Sequence, residues 1–321
     1  MVSPQTAEDK KILISGAGIA GTTLAYWLHR GGFKVTIVER APEIRDSGHA
    51  VEISAPAARK IARDMGIDRA VHEKGTTEKG LKFVNDRGRV ISTMEMDKVY
   101  GRSFTSEDEI LRGDLAQILY KTIEDLVDFR FDDYVTDIRQ DTDAVDVVFN
   151  SGKRESFNHL VICDGLHSKA RTLAGFDHDQ VEILPFRLAT AFFTIQDKII
   201  DLEDKYAKWY TTHGARHMML RPDATGKNTR GYFTFAIDEP LDRKLSIAQQ
   251  KDLVTRKYTG CAYVVDQILD GMNSSAPDFY MTDIAQVKAS SWSKGRIALC
   301  GDAAYCPSPM SGAGVDCAMT G

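Results

Sequence analysis

Lys11-Ile12-Leu13-Ile14-Ser15-Gly16-Ala17-Gly18-Ile19-Ala20-Gly21 is the stretch that decides the fold. Its first five residues are a short, mostly apolar run that ends at a glycine, so they read as a buried strand. From Ile19 to Arg30 the apolar spacing is helical, and Gly31-Gly32 stops it. Phe33–Glu39 is a second strand. Such a strand–helix–strand unit predicts a parallel pair with a right-handed crossover. The loop fits GxGxxG, and each glycine has a physical reason. Gly16 turns the chain out of the strand, Gly18 admits a pyrophosphate to the backbone, and Gly21 lets the helix pack on the sheet. The helix N-terminus then offers free N–H groups and partial positive charge to phosphates. Glu39 lies 23 residues after Gly16. That is near the ~20 residues expected of an acid that holds a ribose hydroxyl pair. A dinucleotide site spanning Gly16, Ala17, Gly18, Ile19, Ala20 and Gly21 is a better reading than a merely glycine-rich turn. The loop alone fits FAD and NAD equally, while an acid at position 39 disfavours a 2′-phosphate there.

Bulk properties narrow the class. The chain has 321 residues, enough for one large domain or two ordinary ones. Its 43% apolar and 27% charged residues fit a soluble protein with a sizeable core. The net charge is −5 and no basic block occurs, which argues against nucleic acid as a partner. The first residues have no apolar core of a signal peptide, and no stretch reaches the ~20 apolar residues that cross a bilayer. The five cysteines, Cys163, Cys261, Cys300, Cys306 and Cys317, show no CxxC spacing. Reduced thiols in a cytoplasmic protein are expected, and the Asn273-Ser274-Ser275 sequon is then idle.

Further along, Asp114–Leu126 has helical spacing with Asp114 placed to cap it, and Phe129–Arg139, Ala144–Phe149 and Leu160–Cys163 read as strands. Near Glu182 the character changes. Phe186–Ile195, His217–Arg221 and Gly231–Ile237 form a run of strands without intervening helices, which predicts an antiparallel layer. Ser246–Tyr258 and Ala262–Met272 are helical, and Phe279–Lys288 and Ile297–Cys300 return to strand. The expected fold class is α/β, with a Rossmann-like parallel sheet interleaved with an antiparallel-sheet domain. Residues 10–75, 105–180 and 285–321 are assigned to the first domain, and 76–104 and 181–284 to the second.

Two more segments complete a three-part signature. Cys163-Asp164-Gly165-Leu166-His167-Ser168-Lys169-Ala170-Arg171 follows a strand and has the form DGxxSxxR. Gly301-Asp302-Ala303-Ala304-Tyr305-Cys306-Pro307-Ser308-Pro309-Met310-Ser311-Gly312-Ala313-Gly314 has the form GDAAxxxxPxxGxG. With GxGxxG these occur in order, and almost the whole chain resembles the class A flavoprotein monooxygenases. That aromatic-hydroxylase family includes para-hydroxybenzoate hydroxylase and the tetracycline-inactivating enzymes. The resemblance implies FAD as cofactor and NADH or NADPH as transient reductant. It implies that Glu39 and Arg40 hold the adenosine end, with a backbone contact from Val135. Arg112 in Leu111-Arg112-Gly113-Asp114 matches the family arginine ahead of a cofactor-contacting helix. Asp164 is implicated in FAD and NAD(P)H binding, and Asp302 in bonding the ribityl chain. Pro309, Gly312, Ala313, Gly314 and Val315 run past the flavin ring, with a helix beginning near Gly314 aimed at its N1–C2 edge. Two departures stand out: Tyr305 replaces a common His, and the chain stops at Gly321 where the family continues into helices that cover the flavin.

The chemistry implied is hydride transfer to FAD, reaction with O2 to a C4a-hydroperoxide, and oxygen transfer to a phenolic or polycyclic aromatic substrate. The cofactor carries the hard step, so no catalytic residue is assigned. The antiparallel sheet offers Phe192, Phe193, Trp209, Met218, Met219, Phe233 and Phe235, of which alternation turns about half toward the flavin. Arg45, His49, His217 and Arg221 are candidate polar contacts. His213 and His217 have a metal-like spacing but lack a third ligand, so no metal is expected. The protein is expected to be a monomer or dimer. Alternatives are a flavoprotein reductase or dehydrogenase without oxygen insertion, and a catalytically inactive flavin-binding fragment. A halogenase is disfavoured because the WxWxIP string is missing.

Overall fold

The structure is a computed structural model that describes residues 10–46, 48–76, 78–95, 109–177, 179–202, 204–223 and 225–321. Of the expected segment 76–104, residues 77 and 96–104 lie outside the described residues. The chain opens with β1 (Lys11–Ser15), α1 (Ile19–Arg30) and β2 (Lys34–Val38). β3 (Ala50–Glu52), α2 (Pro56–Asp64), α3 (Asp68–Glu73), β4 (Gly80–Val84) and β5 (Val90–Glu95) follow. Next come β6 (Glu109–Leu111), α4 (Arg112–Ile123), β7 (Asp128–Arg130), β8 (Val135–Gln140), β9 (Val145–Phe149), β10 (Arg154–Phe157), β11 (His159–Ile162) and α5 (Lys169–Leu173). Four long strands then run in sequence: β12 (Val181–Ile195), β13 (Tyr206–Thr212), β14 (Arg216–Pro222) and β15 (Thr229–Ala236). The rest is α6 (Ile247–Tyr258), α7 (Val265–Ser275), β16 (Tyr280–Ala289), β17 (Ser293–Lys294), β18 (Ile297–Leu299), α8 (Asp302–Tyr305) and α9 (Gly314–Thr320).

The opening unit folds as its pattern demands. β1 and β2 pair parallel, Lys11 opposite Lys34 through Ser15 opposite Val38. They sit in a sheet of order β17-β18-β11-β1-β2-β7, parallel except at β17. Leu13, Ile14, Ile37, Leu160 and Ile162 are fully buried, as strands covered on both faces require. The second sheet has the order β16-β12-β15-β14-β13-β4-β5 and is antiparallel except between β13 and β4. Helices α6 and α7 bury one of its faces through Val254, Tyr258, Ile268 and Met272. A small sheet β10-β9-β8 and a ribbon β3-β6 complete the molecule. Mixed α/β layers with both sheet types are thus present. Among the described residues no helix is long and apolar enough to cross a membrane.

Several local expectations are corrected. Phe129–Arg139 is not one strand: β7 closes the parallel sheet and β8 opens the small one. Asp132, at φ +55, breaks the chain between them. Asp114 does not cap its helix. The cap position belongs to Leu111, and Asp114 sits in the first turn, where a carboxylate still suits the helix dipole. β13 adds a strand that the expected run Phe186–Ile195, His217–Arg221 and Gly231–Ile237 does not include. β12 begins five residues earlier than its apolar run and bends at a bulge between Pro185 and Leu188, with Arg187 at φ +55.

Candidate functional site

The three motifs meet at the carboxyl ends of β1, β11 and β18, where open α/β sheets bind ligands. Gly16 adopts φ +105, and its N–H donates to the Val38 carbonyl at 2.8 Å. A Cβ on Gly16 would stand 2.7 Å from the Cys163 carbonyl oxygen, and one on Gly21 would stand 2.0 Å from the Gly16 oxygen. A Cβ on Gly18 would meet nothing within 4 Å. Two glycines are therefore required by packing, and the middle one faces open space. Glu39 accepts from the N–H groups of Ala17 and Ala41, both at 2.9 Å. It fastens the loop to the end of β2 while keeping acceptor capacity for a ribose. The Arg40 guanidinium lies over the Tyr134 ring, 4.2 Å from its centroid. Val135 follows directly, its side chain buried.

The DGxxSxxR residues divide into two jobs. Ser168 caps α5 by accepting from the Arg171 N–H at 2.9 Å. Arg171 is buried and donates to the carbonyls of Ala303 (2.8 Å) and Leu166 (3.1 Å). It thereby ties the second motif to the third. Asp164 remains open to solvent, yet crowding by protein raises its carboxyl above the ordinary range, against a hydrogen bond from Ser168. In the third motif, Gly301 adopts φ +62, and a Cβ there would stand 2.7 Å from the Ala20 methyl. Asp302 begins α8; desolvation raises its carboxyl, opposed by Cys306 and Arg112. Residues Pro309–Ser311 form a single tight turn, and Gly312 adopts φ +67. Gly312 and Gly314 face open space. The Ala313 N–H donates to the Ser311 hydroxyl at 3.1 Å, and Val315 is buried against Ile19 and Leu115.

Arg112 starts α4, and its N–H donates to the His49 carbonyl at 3.0 Å. Its positive charge acts on His49, Tyr280 and Asp302. Arg45 is exposed, and its charge also reaches Tyr280. His49 stacks on Phe192 with centroids 4.6 Å apart, and its Nδ1 lies 2.7 Å from the Tyr280 hydroxyl. Burial, then Arg112, then Arg221 lower its imidazole to about 3, so it is neutral at ordinary pH. Phe192 also stacks on Tyr280 and meets Tyr232 edge-on. The Tyr232 hydroxyl accepts from the Ala50 N–H at 3.1 Å. The face of the second sheet that meets the ribbon β3-β6 is therefore the one carrying Phe192, Tyr232 and Tyr280. Alternation continues it through Met219, His217 and Trp209, with His217 held by Thr211 at 3.1 Å and Trp209 near Phe83.

That register corrects three expected substrate contacts. Phe233 and Phe235 are fully buried on the opposite face, against Tyr258 of α6. Phe193 and Met218 join them in that core. Arg221 lies on the groove side but is buried, donating to Glu78 at 2.7 Å and Glu109 at 2.6 Å. Its guanidinium is committed to carboxylates and is not free for a ligand. Tyr232, Tyr280 and Asp316 were not singled out from the sequence. Asp316 in α9 accepts from the Ser54 N–H (3.0 Å), the Ser54 hydroxyl (2.6 Å) and the Ala55 N–H (3.0 Å). It joins the glycine turn of the third motif to the start of α2. Its only sequence signal is its place two residues after Gly314. Among the described residues no group of three metal-donor side chains converges.

The three motifs at the carboxyl ends of the parallel strands define a dinucleotide-binding fold, and the Arg112 charge reaches both Asp302 and the aromatic cluster around His49 and Tyr280. Compared with known families, residues 9–320 match the FAD binding domain family. A flavin-dependent monooxygenase of Legionella longbeachae is 35% identical over 319 residues, covering 98% of this chain and 79% of that protein. The crystal structure of the tetracycline destructase Tet(51) superposes with a TM-score of 0.84 at 31% identity, covering 97% of this chain and 79% of that one. Klebsiella pneumoniae HpxO in complex with FAD and uric acid shares the fold at a TM-score of 0.76 and 21% identity, over 98% and 78% of the two chains. This chain belongs to the FAD-binding-domain family, among its FAD-dependent monooxygenases. It is therefore an oxidoreductase, and its cofactor is FAD.

Proposed function

We propose that this chain uses NADH or NADPH and O2 to hydroxylate a phenolic or polycyclic aromatic small molecule. The observation that carries the reading is the aromatic cluster of Phe192, Tyr232 and Tyr280, packed on His49, whose carbonyl accepts from the Arg112 N–H. Bound FAD supplies two-electron chemistry and activation of dioxygen. The residues fit that group: Gly18, Gly312 and Gly314 leave room at the backbone, and Asp164 and Asp302 follow β11 and β18 beside the glycine loop. Glu39 and Arg40 hold the adenosine end beside Val135, Asp302 the ribityl chain, and Pro309 to Val315 flank the ring. Arg112 places a positive charge near Asp302 and His49. Residues 10–75, 105–180 and 285–321 form the FAD-binding domain, and 76–104 and 181–284 the substrate-binding one. On the substrate side Arg45, His49, His217 and Met219 remain candidate contacts. Phe192 and Tyr232 are themselves buried beneath His49 and Ala50, and the half-buried remainder of that face, Phe83, Trp209, His217 and Met219, suits a flat hydrophobic substrate. The 31% identity to a tetracycline destructase supports including tetracyclines among the compounds to test.

The test follows NADH and NADPH oxidation by the FAD-loaded protein against phenols, polyketides and tetracyclines, with mass analysis of products. Substrate-stimulated oxidation with one oxygen atom added to the substrate is expected. Oxidation that yields hydrogen peroxide and unchanged substrate across the panel would overturn hydroxylation in favour of a reductase.

A further inference from the structure

Two cysteines sit side by side beneath the cofactor groove. β11 and β18 pair parallel with Ile162 opposite Leu299, and the Cys300 N–H donates to the Ile162 carbonyl at 2.9 Å. Cys163 and Cys300 are the next residues on each strand. Neighbouring strands lie about 4.8 Å apart, within the roughly 4.4–6.8 Å that a disulfide spans between Cα atoms. Both side chains belong to the same buried cluster under α1. Both are free thiols. The Cys300 sulfur also lies 3.4 Å from the Tyr305 hydroxyl.

We propose that Cys163 and Cys300 form a dithiol that hydrogen peroxide oxidises to a disulfide at the root of the FAD groove. Cys300 attacks one peroxide oxygen; an S–O bond forms, the O–O bond breaks, and the departing hydroxide takes a thiol proton and leaves as water. Cys163 then attacks the Cys300 sulfenic sulfur; the S–S bond forms, the S–O bond breaks, and the second proton leaves in a second water. Two thiols and one peroxide give one disulfide and two waters, the sulfurs losing the two electrons that the peroxide gains. The assignment of roles follows the mutual influence of the neighbouring thiols, which raises Cys163 and lowers Cys300, so that Cys300 is the better nucleophile. Nothing in the step requires the proposed hydroxylation.

The cross-link has a mechanical consequence. The Cα spacing suits a disulfide, but bringing the two Cβ atoms to about 3.5–4.5 Å tilts the strand ends toward each other. Cys163 carries the carbonyl that Gly16 packs against, and Gly301 after Cys300 already closes on Ala20. Oxidation therefore shifts backbone on both sides of the groove and weakens FAD retention. The test treats the full chain with bound FAD with hydrogen peroxide, alkylates remaining thiols in denaturant and maps the peptides. A Cys163–Cys300 linked peptide, removed by dithiothreitol and absent in Cys300→Ser, is expected, together with flavin released in proportion to it. Intact alkylatable thiols at both positions after oxidation, or a different linked pair such as Cys306 with Cys317, would overturn the proposal. The wild-type map decides even where Cys300→Ser does not fold.

Discussion

His49 shows how single residues set the properties of the groove. Its imidazole is held neutral between Phe192, Tyr280 and the guanidinium charges of Arg112 and Arg221. In the unfolded chain it takes up a proton below about 6.5, and in the folded chain only below about 3. Over that window the unfolded state binds more protons, so folding stability falls as pH falls. His49→Phe keeps the stack and removes the titration. The loss of unfolding free energy between pH 7 and pH 5, read from urea titrations, should shrink by about 1–2 kcal/mol. An unchanged loss would mean that His49 protonates normally in the fold. The sequence showed that a histidine lay near the groove. It did not show the partners, because Tyr232 and Tyr280 arrive from strands more than 180 residues away.

Elements were legible in proportion to how local their signals are. The strand, turn and helix of the opening unit were legible because the pattern that specifies them lies in one short stretch, residues 11–30. The structure separates glycines that the motif treats alike. Gly16→Ala forces a Cβ against the Cys163 carbonyl in a backbone region that L residues avoid, so the fold should lose stability and FAD together. Gly18→Ala meets open space, so its unfolding midpoint should stay near wild type while FAD binding weakens at least tenfold, a loss of about 1.4 kcal/mol or more. Thermal melts and FAD titrations of both variants check the contrast; equal behaviour would deny that only Gly18 faces the cofactor. The split between β7 and β8 was hidden because a backbone break at Asp132 carries no glycine or proline signal. The face that Phe233 and Phe235 occupy was hidden for a related reason: alternation says that half of a strand faces one way, and only the packing of α6 says which half.

At the scale of the whole molecule, one buried cluster joins the antiparallel sheet to the ribbon β3-β6. Arg221 of β14 bridges Glu78, ahead of β4, and Glu109, which opens the strand leading to Arg112. Thr76 donates to Glu109 at 2.6 Å, and Glu78 Oε2 has no partner among the described residues. Burial raises the Glu78 carboxyl, and the Arg221 guanidinium opposes that shift. Arg221→Met leaves two desolvated carboxylates facing each other, and should destabilise the protein by about 3–5 kcal/mol in urea unfolding. A change within about 0.5 kcal/mol would place the joint elsewhere. The central claim is that GxGxxG, Asp164-Gly165 and Gly301-Asp302 build one FAD site. The most direct measurement is titration of the flavin-free full chain with FAD, followed by quenching of flavin fluorescence and by the absorption spectrum of the recovered protein. The account predicts saturable, stoichiometric binding and a yellow protein, with binding weakened in Gly18→Ala and Asp302→Ala. A folded chain that stays colourless and leaves flavin fluorescence unchanged would contradict it.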